Sequence, residues 1–575
     1  MTIEKCVWWK DAVVYQIWVP SYKDSNGDGV GDLPGVISTL DYLKDLGIDM
    51  IWLSPMYDSP QVDMGYDISD YQKIYPKYGT LNDMQELIDK CHDKGIKIIL
   101  DLVANHTSSE NKWFQESRSS KNNPKRDWYF WRKPRYDESG NRIEPNNWMS
   151  YFSGSAWEYD ETTDEYYLRL YAKDQPDLNW NNYEVRNTIY DSVINWWFEK
   201  GVDGFRIDTA GKFSKVESFQ DAPIILKDSF YQPVGNLALN GPRIHEFHKE
   251  MFDRCWSKYD AFVVGEVGRC SKQEALKYVG KSRNEMNAIL LFDVVKLIYE
   301  KNDRFQKTKW DLIDFKKAID KQCNLIKGTD AWSTIFLENH DEPRCVSKFI
   351  NTNYRVEGGK LLTMLQSTLS GTLFIYQGQE IGMTNLPRSW DISEYKDIVT
   401  INYYNEFKEK YGKDADFKEK EEKLIDVIKF CSRDHARSPV QWNSEKFAGF
   451  STVEPWTRVN DNYSEINVES QLNDPNSILS FYKQLIKLRK QFKDLFTYGE
   501  FEVLDYDNTI LFTYVKKSPK FEVPKVYVVL NFSSKWVKFE KLIEGNFNLL
   551  VTNVSKKDIL DEKLSPYEGR VYIIE

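Results

Sequence analysis

No stretch of about 18 consecutive apolar residues occurs anywhere in the 575-residue chain, so no segment has the length and character of a membrane-spanning helix. Met1 to Lys10 hold no apolar core of signal-peptide length, and the expectation is a cytoplasmic protein. An excess of positive charge is also missing. The 77 Lys and Arg stand against 88 Asp and Glu, a net charge of -11, which leaves no electrostatic footprint for nucleic acid. Cysteine is sparse and unpatterned: Cys6, Cys91, Cys255, Cys270, Cys323, Cys345 and Cys431 form no C-x-x-C pair and are odd in number. Such a set is poor material for a disulfide framework or a zinc site, and it fits a reducing compartment. There is no internal repeat and no low-complexity tract, and no organic cofactor or macromolecular partner is expected of what reads as a monomer.

What the chain does hold is aromatic. With 19 Trp, 35 Tyr and 31 Phe, aromatics make up 15% of residues, which suits clefts where flat apolar ligand faces stack on rings, although large cores use the same residues. Val13 to Val19 is β-branched and aromatic and reads as a first buried strand. Further short apolar pulses follow at Met50 to Leu53, Ile96 to Val103, Phe205 to Ile207, Phe262 to Gly265, Ile289 to Phe292, Thr334 to Leu337 and Leu373 to Tyr376. Helical patterns lie between them, as at Val36 to Leu46 and Asn82 to Lys94. Eight continuous apolar pulses separated by helices imply parallel strands joined by right-handed crossovers. The expected fold is α/β, a (β/α)8 TIM barrel with its chemistry at the C-terminal strand ends.

Two segments break the alternation. Thr107 to Trp180 is aromatic and polar and reads as a domain inserted after strand 3, overhanging the active face as one wall of a pocket. Period-two stretches such as Lys525 to Phe532 and Arg570 to Ile574 indicate a C-terminal antiparallel β domain. The expected division is therefore 1–106 and 181–500 for the barrel, 107–180 for the insert, and 501–575 for a β-sandwich.

At the strand ends stand Asp101 and His106, Arg206 and Asp208, Glu266, and His340 with Asp341. Arg206 and Asp208 leave an extended segment on the same face, where the cation can orient the carboxylate; taken alone, the pair is as well read as a structural ion pair. Several carboxylates at one mouth change that balance, because like charges crowded together cost stability and are kept for function. Hydrolysis of a glycosidic bond needs two such carboxyls, one to protonate the leaving oxygen and one to attack the sugar or activate water. The loop after strand 1 offers a different chemistry. Asp24, Asn26, Asp28 and Asp32, with the Val30 carbonyl, place oxygens at near-alternate positions between glycines, as a structural Ca2+ loop does, although no bidentate Glu closes it; the other reading is an Asx-rich turn.

Taken together, D-L-V-A-N-H (101–106), G-F-R-I-D (204–208), V-G-E-V (264–267) and E-N-H-D (338–341) resemble the α-amylase superfamily, glycoside hydrolase family 13, and within it the oligo-1,6-glucosidase and yeast maltase/isomaltase branch. The resemblance covers nearly the whole chain. It implies Asp208 as nucleophile, Glu266 as general acid/base and Asp341 as the carboxylate that stabilises the transition state. It also implies a glucose subsite lined by His106, Arg206 and His340, with Tyr66 as stacking platform and Asp63 and Arg437 closing the pocket behind the sugar, so that attack is exo. The function it implies is a retaining exo-acting α-glucosidase that releases glucose from maltose and short α-1,4-glucosides, with sucrose as a further substrate. The alternatives are an oligo-1,6-glucosidase and a glucosyl-transferring sugar isomerase, with a non-catalytic sugar-binding relative as a more distant one. Thr209 after the nucleophile is similar to the maltases, where α-1,6-preferring enzymes carry Val, and Val267-Gly268 is maltase-like too. Two positions depart from the branch: Tyr171 stands where Phe is expected, and Glu342 where Gln is common, which puts an extra charge near the leaving-sugar subsite.

Overall fold

The computed structural model describes residues 7–268, 270–300, 303–518, 523–555, 559 and 562–575, so that Cys6 lies outside the described residues. Eight strands form one parallel sheet: β1 (Val13–Ile17), β2 (Met50–Leu53), β3 (Lys97–Leu102), β4 (Gly204–Ile207), β5 (Phe262–Gly268), β6 (Ala288–Leu291), β7 (Thr334–Ile335) and β8 (Thr372–Tyr376). Each falls on one of the apolar pulses. The sheet runs β6-β5-β4-β3-β2-β1-β8-β7, and a parallel bridge between Ile289 and Ser333 joins its two ends into a barrel.

Side-chain alternation divides each strand between two environments. Val14, Met50, Ile99, Phe262, Val264, Ala288, Leu290 and Phe374 share one buried cluster with Trp52, while their neighbours Val13, Tyr15, Ile51, Leu53, Ile98 and Leu100 pack in another with the surrounding helices. Moving up the barrel by two residues from Ile99 reaches Asp101, from Gly204 reaches Arg206, and from Val264 reaches Glu266. The register pairs Arg206 with Asp101 on one side and with Val264 on the other. The pleat therefore delivers charged side chains to the barrel interior only where the apolar filling ends.

The helices follow their sequence signals. Leu81–Asp93 buries Met84, Leu87, Ile88 and Cys91, one face at three- and four-residue spacing, and starts with a capping box between Thr80 and Asp83. The single helix expected over Val36 to Leu46 is instead two, Leu33–Ile37 and Leu40–Leu46. Ser38 Oγ donates to the Gly35 carbonyl and Thr39 Oγ1 to the Val36 carbonyl, so hydroxyls compete with the backbone at the break. The charged stretch after β8 likewise forms two helices, Ile398–Tyr411 and Phe417–Cys431. Among the described residues no helix is long and apolar enough to cross a membrane.

The segment after β3 carries a three-stranded antiparallel sheet built from Trp131–Arg132, Trp157–Asp160 and Glu165–Leu168. Its Trp148–Met149 pairs with Gln232–Pro233 of the loop after β4, which ties the insert to the loop that follows Asp208. At the C-terminus, β9 (Glu500–Val503), β10 (Leu511–Lys517), β11 (Lys525–Asn531), β12 (Phe547–Thr552) and β13 (Gly569–Ile574) form an antiparallel sheet in the order β9-β10-β11-β13-β12. Val526, Val528 and Leu530 pack on Leu361, Leu365, Phe481 and Leu485 of two barrel helices, while Tyr527 and Val529 face Phe539 and Leu564. The second layer of the expected sandwich is a two-stranded ribbon, Val537–Lys538 with Lys563–Leu564.

β4 is seated by glycines. Gly201 has φ +101 after the short helix Trp196–Glu199, and Gly204 has φ +151 where β4 meets β5. A Cβ on Gly204 would lie 1.8 Å from the Phe262 carbonyl oxygen. Gly204→Ala is expected to destabilise the protein by about 3 kcal/mol or more, since both the conformation and the close backbone approach exclude a side chain. Thermal unfolding measures this; an unchanged Tm would refute the packing described here.

Candidate active site

The guanidinium of Arg206 is the centre of the mouth. It is 1% exposed, and its Nη1 donates to Asp101 Oδ1 at 2.7 Å and to Asp208 Oδ1 at 2.8 Å while Nη2 donates to Glu266 Oε2. Three carboxylates from β3, the end of β4 and β5 thus share one cation. Burial raises the Asp208 carboxyl well above the usual range, and Glu266 and Asp101 push it the same way against the attraction of Arg206. The Asp101 carboxyl is also raised, by burial working against Arg206. One positive charge faces three negative ones here, which is why burial and the neighbouring carboxylates prevail over Arg206 at Asp208. The sequence points to Arg206 as the group that orients Asp208; the structure adds Asp101 and Glu266 to the same guanidinium.

Asp341 meets the opposite field. Burial works to raise its carboxyl, but His340, Arg433, Arg437 and Arg304 outweigh it and hold the group well below the usual carboxylate range. Arg437 Nη2 and Arg433 Nη1 donate to its Oδ1 at 2.9 and 3.2 Å. Across the mouth, then, two carboxyls are pushed in opposite directions, Asp341 downward by its cations and Asp208 upward by burial.

The sugar pocket predicted from sequence comes together around these groups. Tyr66 stacks on His340 with ring centroids 5.4 Å apart, and Trp18 lies against both rings, 5.3 Å from His340 and 6.4 Å from Tyr66. Gln16 Nε2 lies 2.7 Å from His340 Nδ1, and His340 Nε2 lies 2.8 Å from the Tyr66 hydroxyl, which donates to Asp101 Oδ2 at 3.0 Å. That chain runs in one direction if Gln16 donates to Nδ1, and it fixes a neutral tautomer. Burial agrees, lowering the His340 imidazole to about 3 and that of His106 to about 4, so both rings are neutral hydrogen-bonding groups near pH 7. His106 Nε2 donates to the Tyr66 carbonyl at 3.0 Å, and its ring lies 5.1 Å from that of Tyr171.

Asp63 and Arg437 both reach the site but do not pair with each other. Asp63 Oδ1 accepts from Arg433 Nη2 at 3.0 Å and its Oδ2 from Gln175 Nε2 at 3.2 Å, whereas Arg437 serves Asp341 and the His340 carbonyl. Arg433, Asp397 and Gln175 were passed over by sequence reasoning. Arg433 also bonds Asp397, which is fully buried. A signal existed: Arg433 and Arg437 are four apart at the start and end of the short helix Asp434–Arg437, and so share a face.

The residue after Asp208 is conformationally exceptional. Thr209 has φ +43, uncommon for a β-branched residue, and its amide faces Glu266 Oε2 while the next amide, of Ala210, donates to the Glu266 carbonyl at 2.8 Å. Its hydroxyl is buried without a hydrogen-bond partner. The two departures from the family pattern also acquire neighbours. The Tyr171 hydroxyl accepts from Lys212 Nζ. Glu342 is fully buried, accepts from the Tyr299 hydroxyl at 2.9 Å, and has Arg304 and Lys348 at 3.5 and 3.7 Å. Its charge is compensated within the protein rather than presented to a sugar.

In the loop after β1, Asp24 Oδ1 accepts from the Asn26 and Gly27 amides and its Oδ2 from the Gly29 amide and Ser451 Oγ. Asn26 caps the Asp28 amide, Asp28 the Val30 amide, and Asp32 bonds Ser25 and the Gly35 amide. The donor set is all oxygen, the type a hard cation takes. The carboxylates face loop amides, and among the described residues no three His, Cys, Asp or Glu side chains are gathered as a metal group.

Comparison with known proteins agrees with this architecture. The family model "Alpha amylase, catalytic domain" matches residues 16–499. The chain is 61% identical to an alpha-glucosidase of Candida albicans over 570 residues, covering 99% of both, and 45% identical to oligo-1,6-glucosidase IMA2 of Saccharomyces cerevisiae over 99% of this chain and 98% of that one. A solved structure of isomaltulose synthase from Erwinia rhapontici superposes with a TM-score of 0.91 at 38% identity, over 99% of each chain. With its barrel, its carboxylate mouth and these relatives, the chain belongs to the α-amylase family, glycoside hydrolase family 13, and is a glycoside hydrolase of the oligo-1,6-glucosidase and yeast maltase/isomaltase branch.

Proposed function

We propose that this chain is a retaining, exo-acting α-glucosidase of the maltase type, which releases glucose from the non-reducing end of maltose and short α-1,4-glucosides. The observation that carries the reading is the seating of Asp208 and Glu266 on one guanidinium, which keeps the two carboxyls close, as direct attack by one of them on the sugar requires. Glu266 gives its proton to the glycosidic oxygen as that bond breaks, and a carboxylate oxygen of Asp208 bonds to the anomeric carbon, forming a β-glucosyl enzyme. Glu266, now ionised, takes a proton from water, whose oxygen displaces Asp208 and restores the α configuration. Asp341, held ionised by Arg433 and Arg437, accepts from the sugar hydroxyls and stabilises the developing positive charge. Asp63, Arg433, Arg437 and the Tyr66–His340 stack close the far side of the pocket, so one terminal glucose enters.

The bond preference rests on Thr209. A buried hydroxyl without a partner beside Glu266 favours a leaving sugar whose own hydroxyl completes the bond, and a Val there would remove that term. The 61% identity to an alpha-glucosidase supports the same side, while oligo-1,6-glucosidases at 45% and an isomaltulose synthase at 38% mark the competing activities. A structural Ca2+ in the loop of Asp24, Asn26, Asp28, Val30 and Asp32 belongs to the proposal as well; it takes no part in any step.

Asp208→Asn is expected to lower kcat by about 10^4-fold or more with Tm retained, and the sugar first released from maltose to be α-glucose; initial β-glucose would refute retention. On maltose, isomaltose and sucrose side by side, maltose should give the highest kcat/KM, with free glucose as product. Thr209→Val should move the maltose-to-isomaltose ratio toward isomaltose by about tenfold. Glucose chiefly from isomaltose in the unmodified enzyme, or disaccharide isomers from sucrose, would decide for the oligo-1,6-glucosidase or the isomerase instead. Chelation with EGTA should lower Tm by a few degrees, reversed by added Ca2+, without changing kcat at temperatures well below unfolding; an unaltered Tm would leave the loop held by its own Asx turns.

A further inference from the structure

Lys212 lies four residues beyond the nucleophile, on the loop that leaves β4, and nothing in the reaction described so far uses it. Its amide donates to the Thr209 carbonyl at 2.9 Å, so its backbone closes the strained turn that presents Asp208. Its side chain crosses to the insert. Nζ donates to the Tyr171 hydroxyl and sits 3.4 Å from the centroid of the Tyr151 ring, which stacks on Tyr171 at 5.5 Å. Tyr171 in turn packs its ring against His106 and is edged by Phe152, over which Arg433 lies at 5.2 Å.

We propose that Lys212 is a positioning residue: its ammonium clamps Tyr171, a wall of the sugar pocket contributed by the insert, to the loop that carries Asp208. The inference rests on the reading of Asp208 and Glu266 as the catalytic pair and adds to it a residue that touches neither sugar nor reacting atoms. It accounts for Tyr171, since a Phe at that position has no oxygen for the clamp to hold. The cation's contact with the Tyr151 face is of the type that strengthens when water is excluded.

Such a clamp depends on charge, and the charge is responsive to pH. Burial lowers the Lys212 ammonium to about 7; Glu266, Asp208 and Asp177 favour the charged form, and Lys296 opposes it. These groups come from β5, the end of β4, the insert and the segment after β6, and Tyr151 and Tyr171 complete the surroundings. Because the shift is downward, the clamp is charged on the acid side of about pH 7 and loses its proton as pH rises through that value.

The test is kcat and KM on maltose across the pH range for the wild type and for Lys212→Arg, Lys212→Met and Tyr171→Phe, with Asp208→Asn as control. The wild type should lose kcat/KM on the alkaline side with an inflection near pH 7 to 8. Lys212→Arg, whose guanidinium stays charged, should move that inflection upward by about one pH unit or more. Lys212→Met and Tyr171→Phe should each abolish it and lower the plateau by about tenfold, and the double variant should be no worse than either, since both remove the same bond. Tyr171→Phe keeps the test decisive if a change at Lys212 lowers Tm. An inflection unmoved in Lys212→Arg, or a wild-type plateau in Lys212→Met, would overturn the proposal. Turnover by Asp208→Asn would overturn the underlying reading of the site, whatever the Lys212 variants do.

Discussion

One buried guanidinium makes this active site possible. Without Arg206, Asp101, Asp208 and Glu266 would bring three like charges into a space that admits little water, at a cost in folding free energy that no packing at the rim could offset. With it, all three carboxyls have a hydrogen-bonding cation in common. The barrel's geometry serves that arrangement. Arg206 is in register with Asp101, and Glu266 is one inward step above Val264, so the three groups converge because the strands are parallel and the pleat repeats every two residues.

The second half of the mouth is organised by cations instead. Arg433 links Asp63, Asp341 and Asp397, and Arg437 adds a second hold on Asp341. The field thus differs across the mouth, raising Asp208 and Asp101 by burial and lowering Asp341 through its cations. Separation of this kind is how groups of one chemical type are given different roles in a single cleft. The extra carboxylate of Glu342 does not blur it, since Tyr299, Arg304 and Lys348 surround that side chain.

Most of the fold was legible in the sequence because parallel strands buried on both faces must be continuously apolar, and all eight such pulses became strands. The cluster of Asp101, Asp208 and Glu266 on Arg206 was legible for the complementary reason, being charges at the ends of such pulses. Other features were hidden by distance along the chain or by ambiguity of local signals. Arg433 meets Asp63 across 370 residues, and nothing near either residue announces the meeting. Gln175 reads as an ordinary polar loop residue until it is seen touching Asp63, the Tyr66 carbonyl and His106 together. The break at Ser38 and Thr39 came from hydroxyls bonding back to the helix, which a periodic apolar pattern does not reveal. The surroundings of Asp208 were half legible, because Arg206 lies two residues away in sequence while Asp101 and Glu266 arrive from β3 and β5.

The ring of strands is uneven in its fastening. β1 pairs with β2 and with β8 over four residues each, and β4 with β5 over four, whereas β7 has two strand residues and meets β6 through the Ile289–Ser333 bridge and a bond from Thr334 Oγ1 to the Ile289 carbonyl at 2.9 Å. Amide protons along that seam have the fewest partners to break before solvent reaches them, so the barrel's breathing is expected to begin there, and hydrogen exchange at Ile289 and Ser333 is its measure. β7 leads directly to His340 and Asp341. The rim that carries His340 and Asp341 thus rises from the barrel strand with the fewest strand residues.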